Sequence, residues 1–384
     1  MDSTLDVRFR AQDDTLFHRS LDLRLTSQLT LRTPTRAIDA RLVRRSPLLV
    51  REPLFYEYYI RPSGSKLDRI IHEKEEELAR SYELKGIRKV AGDNPLLLLQ
   101  EFYETRYPDD PQLQFLIRTA HAYSDLLVLP LVSRVTDGMD AGVGFEKYLD
   151  FLGNVLATVE TYNKKPVMGV VPLKTPFIRI EELVDFYVGH GIRALCLDYA
   201  SSMPDTARQS VEQVGFSLAR EGVLEETFIY GINVSSGRPR ATTPISPCHS
   251  ILSYGFGCDG FGDLHRVRMK ISEGQPPGPT LIRLFSRRDY GEYLVRDRDD
   301  LQALTPEETR VDLGRCVDDK GLAKLFNAEQ HSLEALHVRP LFEGARDSPG
   351  MEPYLRQKEH VDKTQLKWMR ALVGALRQRR LSDL

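Results

Sequence analysis

The sequence predicts an α/β protein: a (β/α)8 TIM-like barrel with an N-terminal β segment and a C-terminal helical appendage. Between residues 95 and 233, apolar segments alternate regularly with amphipathic helices. The apolar segments lack a polar residue at every second position, which is typical of parallel strands covered on both faces. A doubly wound open sheet ranks second, because no glycine-rich phosphate turn follows an early strand.

Residues 1–45 are predicted to form the N-terminal β segment. Polar and apolar residues alternate in 21–31 and again in 37–43, which is the period of a half-buried strand. Residues 65–84 then carry their apolar side chains on one helical face and predict an amphipathic helix. The charge run 73–77 is most simply the solvated side of that helix.

The barrel is assigned to residues 46–270. Its regular strand segments are 95–100, 125–132, 166–173, 194–200, 228–234 and 258–263. Segments 56–62 and 36–43 supply two more strands, the second from the N-terminal segment, and eight strands close a barrel.

Residues 271–384 are assigned to a mainly helical extension that completes the barrel or packs on it. Its last predicted helix, 366–381, has apolar residues at helical spacing and a basic remainder. We expect this helix to dock on the body of the protein or on a second subunit, so a homo- or hetero-oligomer remains open.

Composition excludes several classes of protein. The formal net charge is −2, so the chain has no global basic field of the kind that attracts nucleic acid. Its 4 cysteines show no CxxC spacing, which argues against a zinc ribbon and a secreted disulfide framework. No apolar run of about 18 residues occurs, and the first residues are too acidic for a signal peptide. We therefore expect a cytoplasmic protein without a membrane partner.

Several motifs resemble a known family. The stretch GCDGFGD at 257–263 is the most distinctive, and it is joined by YIRPSG at 59–64, KGIRKVAGDNPLLLLQEFY at 85–103, KPVMGVVPL at 165–173, IYGINV at 229–234 and FNAEQHSLEALHVR at 326–339. In this order they resemble the archaeal branch of the tRNA-guanine transglycosylase superfamily, over roughly residues 25 to 345. The resemblance implies a barrel enzyme that exchanges guanine for a 7-deazaguanine base in tRNA or DNA. In this family a strand-end aspartate displaces the purine from ribose C1′, and a second aspartate helps to bind the base.

The catalytic candidates depart from the family pattern. The position of the family nucleophile falls on Gly262, and Asp263 follows one residue later. One step along a strand reverses the side chain, so a glycine-permitted bulge is needed to turn Asp263 inward, and we expect that bulge. Asp259 matches a supporting aspartate of the family, and Glu101 is the acid nearest to the place of the second aspartate.

The resemblance also implies a structural zinc, which the residues do not support. Only Cys316 is available as a thiolate, and Phe326 stands where the family has a histidine ligand. We therefore expect no metal, and no cofactor is called for.

Polar side chains at other predicted strand ends are candidates for binding substrate. They are Asp198, Asn233, Lys174 and Asp137. Clustered carboxylates shift one another's pKa and divide acid and base roles, although helix capping is the competing reading for both aspartates. A basic track that could bind a polynucleotide consists of Arg238, Arg240, Arg266, Arg268 and Lys270.

Three functions remain open at this point. The first is a transglycosylase-like enzyme that uses an aspartate nucleophile. The second is a non-catalytic nucleic-acid-binding or partner subunit that keeps the barrel. The third is an unrelated barrel lyase or hydrolase, acting on a small anion held by Lys174 and Arg238.

Overall fold

The computed structural model describes residues 5–26, 28–162, 165–237, 242–266, 281–304, 308–344 and 350–382, and it has an α/β fold in which helices flank parallel strands. The strands are β1 (Asp6–Gln12), β2 (Arg19–Arg24), β3 (Thr30–Arg32), β4 (Thr35–Arg36), β5 (Ile38–Asp39), β6 (Tyr56–Ile60), β7 (Leu96–Gln100), β8 (Leu127–Val128), β9 (Val167–Pro172), β10 (Ala194–Asp198), β11 (Phe228–Ile232), β12 (Ile245–Pro247), β13 (Gly260–Phe261), β14 (Ile282–Phe285) and β15 (Gly291–Val295).

The α-helices all follow β6 in the chain, and most of them lie between successive strands or after the last strand. They are α1 (Gly64–Ile71), α2 (Glu76–Arg80), α3 (Lys85–Ala91), α4 (Asp110–Tyr123), α5 (Ser133–Thr136), α6 (Val143–Tyr162), α7 (Phe177–Gly189), α8 (Arg208–Arg220), α9 (Leu313–Cys316), α10 (Lys320–Val338), α11 (Pro340–Glu343), α12 (Met351–Arg356) and α13 (Lys363–Ser382). No helix in these described ranges is long and apolar enough to cross a membrane.

The parallel strands form two sheets that share one short segment. One sheet has the order β4-β13-β11-β10-β9-β8, and the other has the order β5-β6-β7. Residues 35–39 carry both β4 and β5, so this segment pairs with β13 on one side and with β6 on the other. A parallel bridge between Glu101 and Leu131 joins the end of β7 to the segment that follows β8. Strands therefore occur in all eight segments that the sequence predicts to be parallel, and they are arranged in two sheets rather than in one closed sheet.

Antiparallel strands lie at both ends of the chain. β1, β2 and β3 form the predicted N-terminal β layer. The extension, expected to be mainly helical, also contains β14 and β15, and β15 pairs with β14 on one side and with β12 on the other. The helix predicted over 65–84 is broken into α1 and α2, with Lys74 at a positive φ of 53° between them. Like charges in the run 73–77 oppose a continuous helix there.

The C-terminal helices cover the sheet and complete the core. α10 packs on β4, β5 and β14, and its Leu322, Leu325 and Phe326 are buried. α13 packs on α8 of the same chain, with Leu366, Met369, Leu372, Val373 and Leu376 buried. The predicted docking of the 366–381 helix thus takes place on the body of the protein.

His18 predicts a loss of stability in mild acid. This residue is buried, and burial lowers the pKa of its imidazole from 6.5 to about 4. The unfolded chain therefore takes up a proton below pH 6.5 that the folded chain takes up only near pH 4. The free energy of unfolding should fall over that interval by about 3 kcal/mol from this group.

The measurement is chemical unfolding of the wild type and of His18→Gln between pH 7 and about pH 4. The substitution removes the titrating ring, so its unfolding free energy should depend less on pH in this range. His72→Gln, at an exposed position, is the matched control. Equal pH slopes for wild type and His18→Gln would contradict the assignment.

Candidate active site

A cluster of acids surrounds one arginine at the carboxyl ends of the parallel strands. Glu101 follows β7, Asp137 ends α5 after β8, and Asp198 ends β10. The guanidinium of Arg266 contacts all three: Nε lies 3.3 Å from Glu101 Oε1, Nη2 lies 2.7 Å from Asp137 Oδ2, and Nη1 lies 2.8 Å from Asp198 Oδ2. We call these four residues the Arg266 cluster.

Asn233 fixes the position of the cluster. Its Nδ2 donates to Asp198 Oδ1 at 2.9 Å, and its Oδ1 accepts the backbone N–H groups of His265 and Arg266, both at 3.0 Å. Asn233 has a positive φ of 55°, a conformation that asparagine tolerates better than most residues. The amide therefore holds the chain segment that carries Arg266 over the end of β10.

Further cations and donors complete the cluster. Lys174 Nζ lies 3.4 Å from Asp137 Oδ2, and Arg61 Nε donates to Glu101 Oε2 at 2.9 Å. The hydroxyls of Tyr59 and Ser133 also donate to Glu101. The structure thus brings together Glu101, Asp137, Asp198, Asn233, Lys174 and Arg266 from the predicted set.

Burial shapes the protonation of this cluster. It raises the pKa of Asp198, and the charge of Arg266 and the amide of Asn233 offset only part of that rise. For Arg266, burial alone would lower the pKa, but the charges of Asp198, Asp137 and Glu101 raise it. The arginine remains charged, whereas the ionised form of Asp198 is stabilised by the charge of Arg266.

A second carboxylate lies beside the cluster. Glu57, on β6, is fully buried, and its Oε1 accepts the Tyr230 hydroxyl at 2.5 Å. Its Oε2 accepts the backbone N–H of Asp263 at 2.8 Å and lies 3.2 Å from Nε2 of His265. The His265 ring stacks on Tyr59, with a centroid separation of 4.4 Å and an interplanar angle of 6°. His265 and Tyr59 therefore connect Glu57 to the Arg266 cluster.

Gly262 is required by the position of Glu57. A Cβ atom built on Gly262 would lie 1.7 Å from Glu57 Oε1 and 2.5 Å from the Tyr230 hydroxyl oxygen. No side chain fits beside that carboxylate. The carboxylate of Glu57 thus fills the space that a side chain at the predicted nucleophile position would need.

Asp263 faces away from this site. Its carboxylate pairs with Arg36, whose guanidinium lies 4.8 Å from the centroid of the Phe261 ring. The charges of Arg36, His265 and Lys324 all act on the Asp263 carboxylate. Burial raises the pKa of Asp263, but Arg36 and the other nearby cations lower it overall. The expected inward rotation of Asp263 is wrong, because side chains alternate along the segment and Gly262 takes the inward place.

Asp259 lies at the opposite end of the strands. It pairs with buried Arg19 through two contacts of 2.6 Å, and its Oδ2 accepts the N–H of Ile229 at 2.7 Å. Arg19 also donates to the carbonyl oxygen of Thr227, just before β11, at 2.8 Å. Asp259, a predicted catalytic residue, therefore does not meet Asp198 and Asn233, since it precedes β13 rather than following it.

The remaining predicted positions are those of the basic track and of the family's zinc ligands. Arg238, Arg240, Arg268 and Lys270 lie outside the described residues. Cys316 is buried with a free thiol, and Phe326 is in the core. Sequence reasoning missed Glu57, Tyr59 and Ser133. The available signal for Glu57 was a single acid in the otherwise aromatic and apolar strand YEYYI.

Comparison with known proteins gives little guidance. No protein-family model and no curated protein matches the chain. Among solved structures, the carboxyl transferase domain of Rhizobium etli pyruvate carboxylase, determined with pyruvate and biocytin, is weakly similar, with 14% identity and a TM-score of 0.36. The match covers 84% of this chain and 50% of that chain, so this chain spans about half the length of that neighbour. This likeness carries no argument about function.

The Arg19–Asp259 pair predicts a stability role for Asp259. Asp259→Asn should leave the Arg19 charge buried without a counterion and lower the free energy of unfolding by about 3–5 kcal/mol. Chemical unfolding at neutral pH measures this change. Asp185→Asn, at a surface ion pair, is the control and should cost less than about 1 kcal/mol. A loss for Asp259→Asn as small as that of the control would show that the pair is not structural.

The contact between Gly262 and Glu57 predicts a coupled effect. Gly262→Ala should lower the free energy of unfolding by about 1–3 kcal/mol, since the added methyl group overlaps the carboxylate. In a Glu57→Ala background the same change should cost much less, because the overlap is gone. A double-mutant cycle measured by chemical unfolding checks the coupling. Additive effects of the two substitutions would contradict it.

Proposed function

We propose that the chain is a divergent base-exchange enzyme of the tRNA-guanine transglycosylase type, which replaces guanine by a 7-deazaguanine in RNA or DNA. The observation that carries the proposal is the binding of the Arg266 guanidinium by Glu101, Asp137 and Asp198. A guanidinium is a planar set of N–H donors. The N1–H and 2-amino groups of guanine form a similar planar donor edge, and 7-deazaguanine keeps that edge because it differs at position 7.

Arg266 would then occupy the place of the base. With Arg61 and Lys174 included, three carboxylates of the cluster meet three cations. Removal of Arg266 leaves an excess of negative charge in a buried site. A donor-rich base edge satisfies the freed acceptors, and protonation of Asp198 is favoured by the burial that raises its pKa. Glu101 and Asp198 are the assigned base-reading residues, while Asp137 and Lys174 line the same site.

The proposal includes a closed (β/α)8 barrel as the scaffold. Residues 35–39 pair with β13 and also with β6, and the Glu101–Leu131 bridge connects the strands at the other junction of the two sheets. These pairings support a ring of eight parallel strands. The carboxyl ends of such a ring are where barrel enzymes carry their chemistry.

Nucleic acid is the proposed partner for the segments next to this site. Arg266 is followed directly by residues 267–270, which include Arg268 and Lys270, and Arg238 and Arg240 follow β11. The basic side chains of these residues would bind phosphates while the base enters the site. We also propose a cytoplasmic location, because the 4 cysteines are free thiols, as in a reducing compartment.

A non-catalytic nucleic-acid-binding subunit is the second candidate. The observation in its favour is that the acids are already neutralised and covered. Glu57 and Glu101 have no exposed surface, and Asp198 is 3% exposed. In that case the Arg266 cluster would be a permanent structural unit, and no base would displace the arginine.

The test is incubation of purified protein with labelled guanine and either bulk tRNA or bulk DNA. Transfer of label into one of the nucleic acids is expected. Asp198→Asn should lower the rate on the order of 10²-fold or more, because an oriented acceptor for the base is lost. Asp185→Asn, a surface acid on α7, is the matched control and should keep the wild-type rate.

The alternative makes a different prediction for the same reactions. Binding of nucleic acid to the wild type, without incorporation of label from guanine into either tRNA or DNA, would favour the non-catalytic subunit. Equal rates for wild type and Asp198→Asn would remove the Arg266 cluster from the mechanism.

A further inference from the structure

We propose that Glu57 is the nucleophile of the base exchange and that it has taken over the role of the position now held by Gly262. This inference rests on the proposed function. The resemblance gives the nucleophilic carboxylate to position 262, which has no side chain. The nearest atom to a Cβ placed there is Glu57 Oε1, at 1.7 Å. A carboxylate is thus present at that point in space, although it comes from β6 instead of from β13.

The hydrogen bonds of Glu57 are suited to a reactive carboxylate. The other buried acids near these strand ends pair with arginine, as Asp263 does with Arg36 and Asp198 with Arg266. Among the described residues, the side chain of Glu57 makes no ion pair with an arginine or a lysine. Its direct partners are a tyrosine hydroxyl, a backbone N–H and a histidine ring, which orient the two oxygens. The charge of Arg36 also interacts with Glu57, but without a direct ion-pair contact.

Glu57 is also correctly placed relative to the proposed base site. Tyr59 is two residues further along β6, so the two side chains face the same way and are separated by about 6–7 Å along the strand. The hydroxyl of Tyr59 donates to Glu101 of the Arg266 cluster. His265, which contacts Glu57, directly precedes Arg266 in the chain. A nucleoside with its base edge in the place of Arg266 would therefore direct its sugar toward Glu57.

The reaction is a double displacement at ribose or deoxyribose C1′. An oxygen of the ionised Glu57 attacks C1′, a C1′–O ester bond forms, and the C1′–N9 bond breaks. The bonding electron pair leaves with guanine, which takes a proton from water. In the second half, the incoming base loses its N9 proton to water and attacks C1′. The ester bond breaks, and the carboxylate is restored, so the cycle consumes no proton and no cofactor.

Access to Glu57 requires movement of the segment that carries His265 and Arg266. The His265 ring covers Glu57, and the backbone of both residues is held by Asn233. Ser201 also donates to the carbonyl oxygen of Arg266. Displacement of Arg266 by the base and uncovering of Glu57 are therefore one event.

The experiment compares Glu57→Gln with the wild type in the labelled-guanine assay. An amide cannot form the glycosyl ester, so exchange should fall by about 10³-fold or more. Glu83→Gln, at an exposed glutamate, is the matched control and should retain activity. Wild-type protein is mixed with end-labelled tRNA or DNA, the free base is removed, and the reaction is quenched in denaturant. The protein should then carry the nucleic acid covalently. Mass spectrometry should find the pentosyl ester on Glu57, which a merely structural role would not produce.

A carboxylate swap provides the second variant. Glu57→Gly/Gly262→Asp returns the acid to β13 and removes the overlap, so it should recover part of the exchange that Glu57→Gln loses. Thermal unfolding of each variant shows whether it is folded. Exchange retained in Glu57→Gln, or an ester on Asp198, Asp263 or another acid, would overturn the role of Glu57 and leave the proposed function standing. Absence of exchange in the wild type would overturn both.

Discussion

The pairing of residues 35–39 with two different strands is the constraint on which the rest of the site depends. Thr35 and Arg36 pair with β13, and Ile38 and Asp39 pair with β6. This short segment brings an early and a late part of the chain together. Glu57 reaches the backbone of Asp263, 206 residues later, because one strand lies between their own strands. Loss of that register would separate the carboxylate from Gly262, Tyr230 and His265 together.

The two ends of the strands use arginine in different ways. At the amino end, Arg19 meets one carboxylate and nearby backbone carbonyl groups, so each of its three guanidinium nitrogen atoms has an acceptor. This arrangement is closed and has no room for a ligand. At the carboxyl end, Arg266 is shared by three acids that end or follow different strands. A shared arginine can be replaced by another donor without unfolding a strand, and this difference separates a structural ion pair from a candidate site.

Sequence reasoning found the strands because each one is buried on both faces and reads as an apolar segment. It also found Asp198 and Asn233, since polar residues that end neighbouring parallel strands must lie close together. It failed at Asp259 and Asp263, because a motif gives the order of residues but not the axial position or the face of each side chain. It missed Glu57, because the importance of this residue depends on its contact with Gly262, a glycine far away in the chain. The register of the strands, which brings Glu57 next to position 262, is set by backbone hydrogen bonds, and these cannot be read from the amino-acid composition.

The overlap between Glu57 and position 262 restricts how such a site changes during evolution. As long as Glu57 is present, an aspartate at position 262 has no space. If Glu57 is lost first, the site contains no carboxylate at that point until position 262 acquires one. Under the proposed role of Glu57, either single step would be harmful, so only a paired change converts one arrangement into the other without loss of activity. The steric overlap and the need for a carboxylate would together hold the acid at position 57.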